Sequence, residues 1–151
     1  MRKILLLFIT LTTCFTTYAQ FVAKMEIKEP IPGLCSKQDV YALIPGLKGQ
    51  VQAQCQLTKE QINDKLNSEI QFLKDNPDYN DKGMIGLIIN CNGELVQCKM
   101  DNKTTSTELD SQIEKVFNSI DGWTAGKLNK KNVDSSRLFS FKIENGIISI
   151  N

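Results

Sequence analysis

The sequence contains no histidine, which removes the commonest general base and the commonest metal ligand in proteins. It also lacks an excess of either charge, since 18 lysines and arginines face 17 aspartates and glutamates. Such a balance provides no basic surface for nucleic acid or for an anionic membrane. The acidic pairs Asp75 with Asp78 and Asp101 with Asp110 have no spacing that fixes a catalytic geometry. We therefore predict a non-enzymatic protein without a cofactor or a metal.

The first residues have the composition of a secretory signal peptide. Arg2 and Lys3 precede an uncharged, mostly apolar run at residues 4–13, which is too short to span a bilayer. Thr17-Tyr-Ala19 fits the small-x-small cleavage pattern, so we expect cleavage before Gln20. Loss of this segment takes the 18 cations to 16, against 17 anions.

The same segment allows a second interpretation, in which Leu11-Thr-Thr-Cys14 is a lipobox and the protein is a lipoprotein anchored through Cys14. Both interpretations predict an exported chain. The predicted organisation is a signal peptide at residues 1–19, an irregular segment tied by disulfides at 20–57, and an α+β domain at 58–151. Within the irregular segment, short strands are predicted at 21–27 and 39–44.

Residues 84–100 are predicted to form a β-hairpin. Asn92-Gly93 is typical of a two-residue type I′ turn, which needs positive φ at both central residues. This turn gives the hairpin one face that is apolar apart from Glu94 at its tip. The pairs on that face are Cys91 with Glu94, Ile89 with Val96, Leu87 with Cys98, and Ile85 with Met100.

Four cysteines follow the predicted cleavage site, namely Cys35, Cys55, Cys91 and Cys98. An even number in an exported chain predicts two disulfides. The hairpin register separates Cys91 from Cys98 by about 13 Å, beyond the roughly 7 Å Cα limit for a disulfide. We expect these two to bond to Cys35 and Cys55, in an order that the sequence leaves open. A thiol-redox protein is a weaker alternative, because the Cys-x6-Cys spacing differs from the usual Cys-x-x-Cys.

Two amphipathic helices are predicted. Thr58 and Gln61 form a capping box that opens the first, which has about five turns and stops at residues 76–77. The second begins near Thr107 and ends at residues 121–122. The apolar positions of the first are Ile62, Leu66, Ile70 and Leu73, and those of the second are Leu109, Ile113, Val116 or Phe117, and Ile120.

A second hairpin is predicted over residues 137–150, with Asn145-Gly146 as its type I′ turn. Two helices with two hairpins predict an α+β fold, with both helices packed on one antiparallel sheet. Residues 124–135 read as a polar connector. The strands of this second hairpin are candidate sheet edges for a partner. The residues of this candidate edge are Arg137, Phe139, Phe141, Ile143, Ile148 and Ile150.

The order of these elements resembles the C-terminal domain of TonB, the periplasmic energy transducer of Gram-negative bacteria. The family has a hairpin with an Asn-Gly type of turn, a helix that opens with Leu-Asp, a Trp before a basic polar loop, and a closing strand. The residues that carry the resemblance are Asn92, Gly93, Leu109, Asp110, Trp123 and Val133.

The resemblance implies a stand-alone exported domain in the periplasm or cell envelope, without the TonB membrane anchor and Pro-rich spacer. It also implies a protein or extended-peptide partner, such as a segment of an outer-membrane receptor, bound by strand addition in energy-coupled transport. The alternative is a structural or inhibitory envelope protein.

Overall fold

The computed structural model describes residues 21–151. The predicted cleavage before Gln20 and the lipobox at Cys14 lie outside these residues. None of the helices that it describes is long and apolar enough to cross a membrane.

The described chain contains nine strands and three helices. The first three strands are β1 (Ala23–Met25), β2 (Val40–Ala42) and β3 (Gln50–Val51). Helices α1 (Lys59–Glu69) and α2 (Gln71–Asp75) follow, then strands β4 (Asp81–Ile89) and β5 (Leu95–Asn102) and helix α3 (Thr107–Asn118). The chain ends with strands β6 (Gly126–Leu128), β7 (Lys131–Val133), β8 (Ser135–Glu144) and β9 (Ile147–Ile150).

The α+β class is confirmed, but the sheet is mixed rather than antiparallel. Its strand order is β1-β2-β8-β4-β5, and β9 pairs with β8. Strand β2 runs parallel to β8, through Tyr41 opposite Ser135. A second, small sheet has the order β3-β6-β7. Strands β1 and β2 lie within the short strands predicted at 21–27 and 39–44, whereas β3 of the small sheet lies in the part predicted as irregular.

The first predicted helix is broken in two at Ile70, which has extended backbone angles (φ −80°, ψ 105°). Side chains replace the hydrogen bonds that a continuous helix would make at this point. Gln112 Oε1 of α3 accepts from the Phe72 N–H at 3.0 Å, and Lys74 Nζ donates to the Ser68 carbonyl at 2.6 Å. The single five-turn helix was therefore wrong, although its capping box is present. All four predicted apolar side chains are buried: Ile62, Leu66, Ile70 and Leu73.

Helix α3 is capped by Ser106, whose hydroxyl accepts from the Leu109 N–H at 3.2 Å. It ends at Asn118, a turn before the predicted stop. Trp123 then folds back over the helix end and donates from Nε1 to the Ile120 carbonyl at 2.8 Å. The predicted apolar face of this helix is buried: Leu109, Ile113, Val116, Phe117 and Ile120.

The two Asn-Gly hairpins differ in their turns. Asn145 and Gly146 both have positive φ, as a type I′ turn requires. In the other hairpin only Gly93 has positive φ, and its N–H donates to the Asn90 carbonyl at 3.0 Å. That geometry is a type I turn followed by a left-handed glycine, so the type I′ prediction at residues 92–93 was wrong.

The longer turn changes the pairing of β5 only next to the turn. Ile89 pairs with Leu95 instead of Val96, because Val96 is the extra residue of a bulge. The pairs of Leu87 with Cys98 and of Ile85 with Met100 are as predicted.

The polar connector predicted at residues 124–135 is in fact a small hairpin. Strands β6 and β7 pair through Leu128 and Lys131. The tight turn between them is made by Asn129 and Lys130, both with positive φ.

Candidate functional site

Strand β8, predicted as a candidate edge, is an interior strand. It pairs with β4 along one side, from Ser135 to Ile143. On the other side it pairs with β2 at Ser135 and Ser136 and with β9 from Phe141 to Glu144, and no described strand pairs with residues 137–140 there. The sheet edge predicted along residues 137–143 is thus reduced to residues 137–140, because β2 and β9 occupy the rest of that side. The apolar side chains of the second hairpin do share one buried face: Phe139, Phe141, Ile143, Ile148 and Ile150.

Strand β9 has no strand on its outer side within residues 21–151, but helix α1 covers that side. Asn67 accepts from the Ile148 N–H at 2.9 Å and donates to the Ile148 carbonyl at 2.8 Å. Asn63 accepts from the Ile150 N–H at 2.9 Å. Residues four apart lie on one side of a helix, so the two amides act together as a substitute strand. A partner strand cannot pair here without displacing them.

The sequence pattern did contain this signal, which was missed. Asn63 and Asn67 each follow an apolar position of α1 by one residue, beside the buried stripe. Amide side chains at that border are placed to reach a neighbouring backbone.

Strand β5 has the longest uncovered edge of the main sheet. It is eight residues long and pairs with β4 on one side, and no other described strand pairs with it. The Met100 N–H points away from β4, since it donates to Glu114 Oε1 at 2.8 Å. Backbone groups alternate in direction along a strand, so the N–H and carbonyl of Cys98 also point away from β4.

A groove lies beside this edge. Residues 95–99 of β5 line a space of about 360 Å³ whose other lining residues are 29–32 and Asn118. Pro30 and Pro32 have no N–H, so at these positions the opposite wall offers no backbone donor. An extended peptide therefore finds unpaired backbone groups on the β5 side of the groove.

The side chain of Cys98 faces α3 rather than the groove edge. Its thiol donates to the Glu114 carbonyl at 3.6 Å. Burial, with a smaller contribution from the charge of Glu114, raises the pKa of this thiol to about 12. Cys98 is therefore a protonated, unreactive packing residue at neutral pH.

The described cysteines form one disulfide. Cys35 and Cys91 are bonded, with a Cα–Cα distance of 6.0 Å, whereas Cys55 and Cys98 are free. The expectation of a second disulfide was wrong, because Cys98 packs on α3 while Cys55 lies near β8. Cys91 does not bond to Cys98, in keeping with the predicted register.

A buried carboxylate accepts hydrogen bonds from the backbone at the disulfide. Asp134 is 2% exposed, and its two oxygens accept from the Ser36 N–H at 2.7 Å and from the Cys91 N–H at 2.8 Å. Cys35, Cys91 and Asp134 also form the one metal-like grouping found within residues 21–151. Both sulfurs are used by the disulfide, so this grouping serves the structure.

The residues of the TonB-like pattern make packing contacts and hydrogen bonds within the fold. Gly93 packs on the chain after α3, where an added Cβ would lie 2.7 Å from the Trp123 carbonyl oxygen. Asp110 is buried and accepts from the N–H and hydroxyl of Thr104 at 2.9 and 2.7 Å. Val133 ends β7, Leu109 is in the core, and Asn92 donates its N–H to Asn90 Oδ1.

Comparison with known proteins finds no matching family model, no matching curated protein and no matching solved structure. The functional assignment therefore depends on the residues and geometry of this chain.

Proposed function

We propose that this protein is an exported, non-enzymatic binding module that pairs an extended segment of a partner protein with the outer edge of β5. The observation that carries the proposal is the direction of the β5 backbone. The Cys98 N–H faces away from β4, and no other described strand occupies that side. The Met100 N–H faces the same way and is bonded to Glu114 Oε1.

Strand β5 is a better candidate than the other edges of the main sheet, which are short or covered. Strand β1 has only three residues, and β9 is bonded to Asn63 and Asn67. Strand addition needs a row of backbone groups, at every second residue, that point away from the sheet. Strand β5 is long enough for such a row, with eight residues.

The resemblance to the TonB C-terminal domain supports the same mode of binding. The hairpin, helix and closing strand of that pattern correspond to β4–β5, α3 and β8. On this view the partner is an extended segment of an envelope protein, such as an outer-membrane receptor, and the context is energy-coupled transport. The disulfide between Cys35 and Cys91 is compatible with export.

Two variants at one position test the proposal. Cys98→Ala removes the thiol and keeps the backbone N–H, whereas Cys98→Pro removes both. Proline is tolerated here because the lost N–H is not part of the ladder with β4. Wild type, Cys98→Ala and Cys98→Pro would be used to capture partners from an envelope extract, after circular dichroism shows that each is folded.

We expect the first two proteins to capture the same partner and Cys98→Pro to lose it. Equal capture by folded Cys98→Pro would contradict strand addition at β5. A partner that binds all three equally would instead favour the alternative, a structural or inhibitory envelope protein that uses another surface.

A further inference from the structure

A second, smaller pocket lies two strands away from β5, where the chain before α1 meets β8 and the end of β9. Its volume is about 220 Å³. Four of its lining side chains are apolar: Leu57, Ile62, Phe139 and Ile150. Gln54, Cys55, Lys59, Arg137 and Asn151 complete it, so two cations and no carboxylate side chain line this pocket.

Arg137 is the central polar group of the pocket. Its guanidinium lies over the Phe139 ring, 4.8 Å from the centroid, and donates from Nη1 to the Ala53 carbonyl at 2.6 Å. No ion pair involves Arg137 in the described part of the chain, which contains three others. Burial lowers the pKa of the half-buried guanidinium, and an opposing electrostatic contribution from Cys55 offsets only part of this effect.

We propose that this pocket binds a carboxylate attached to a compact apolar group. The planar guanidinium has five N–H donors, and one hydrogen bond to Ala53 leaves the others for a two-oxygen acceptor. The apolar lining residues provide the contact surface for a small hydrocarbon group. An apolar cavity of about 150 Å³ holds a benzene ring, so this pocket has room for a ring with a carboxylate.

The inference does not depend on strand addition at β5. The carboxylate has two possible sources with the same chemistry, a free small acid or the α-carboxylate of a peptide that ends in an aromatic residue. Benzoate represents the first source, and a tripeptide ending in Phe represents the second. Benzamide and the C-terminally amidated tripeptide are the matched neutral controls.

Binding would be followed by NMR titration and by the rate at which iodoacetamide alkylates Cys55, which lines the pocket. We expect benzoate or the free tripeptide to bind and to slow alkylation of Cys55, and the matched neutral compound to do neither. Arg137→Gln should weaken binding by at least about tenfold, since it removes charge-assisted hydrogen bonds. Lys82→Gln, which removes an exposed cation outside this pocket, should leave binding unchanged.

Binding of benzoate alone identifies a small acid as the ligand class, and tighter binding of the free tripeptide identifies a peptide terminus. Either result supports the proposal. Equal binding of benzoate and benzamide, unchanged binding in Arg137→Gln, or no binding of either acid would overturn it. If Arg137→Gln does not fold, the protection of Cys55 in the wild type by the acid but not by its neutral control still decides.

Discussion

Replacing Asn67 with alanine tests the claim that α1 substitutes for a strand beside β9. The substitution removes both hydrogen bonds to Ile148, and each contributes a net 0.5–1.5 kcal/mol in proteins, so the loss is about 1–3 kcal/mol. Alanine is the better helix former by roughly 0.6 kcal/mol, which offsets part of the loss. We therefore expect Asn67→Ala to lower the free energy of unfolding by about 0.5–2.5 kcal/mol.

The measurement is urea unfolding followed by the fluorescence of Trp123, the single tryptophan. Asp64→Ala is the matched control, because Asp64 is exposed on the same helix and gains the same kind of helix propensity. The double variant Asn63→Ala, Asn67→Ala frees the outer edge of β9, so it should also self-associate in analytical ultracentrifugation. The edge-covering role would be refuted if Asn67→Ala were as stable as Asp64→Ala and the double variant stayed monomeric.

Three further outcomes follow from single groups. Desolvation raises the pKa of Asp81, but hydrogen bonds from the Thr105 and Lys82 N–H groups and from the Tyr79 and Thr105 hydroxyls outweigh it and lower the pKa to about 2. Because the folded pKa is below the unfolded value of 3.8, ionised Asp81 stabilises the fold above about pH 4, and this stabilisation is lost as pH falls toward 2. The stability of Asp81→Asn in acid unfolding should therefore depend less on pH over that range. Iodoacetamide should label Cys55 in the folded protein faster than Cys98, as peptide mapping would detect, because both are half-buried but the Cys98 thiol stays protonated; labelling of native Cys98 as fast as that of Cys55 would contradict this. The double variant Cys35→Ser, Cys91→Ser should be less stable by about 4 kcal/mol in thermal unfolding, since the disulfide closes a sequence separation of 56 residues; an unchanged melting temperature would contradict this.

Local patterns in the sequence predicted the elements that depend on neighbouring residues. The capping box at Thr58 and Gln61, the buried stripe of α3 and the type I′ turn at Asn145-Gly146 are each present. In these cases the residues that determine the structure lie within a few positions of one another, so period and turn chemistry are sufficient.

The predictions that failed depend on contacts between distant segments. Pairing of β2 with β8 joins Tyr41 to Ser135, and no local pattern indicates that partner or its parallel direction. The bulge at Val96 offsets the extra residue of the turn, so only the pairs next to the turn differ from the prediction. The turn at Asn129 and Lys130 has no glycine to mark it. Because β2 and β9 pair with β8, the candidate edge is β5 instead of β8.

Amide hydrogen exchange at Cys98 tests the proposed binding edge most directly. In the free protein its N–H points away from β4 toward the groove, whereas the Ile148 N–H is bonded to Asn67. We predict that the Cys98 amide exchanges faster than that of Ile148 in the free protein and becomes strongly protected when the captured partner is bound, with Ile148 unchanged. Slow exchange at Cys98 in the free protein, or an unprotected Cys98 amide in the saturated complex, would contradict strand addition at β5.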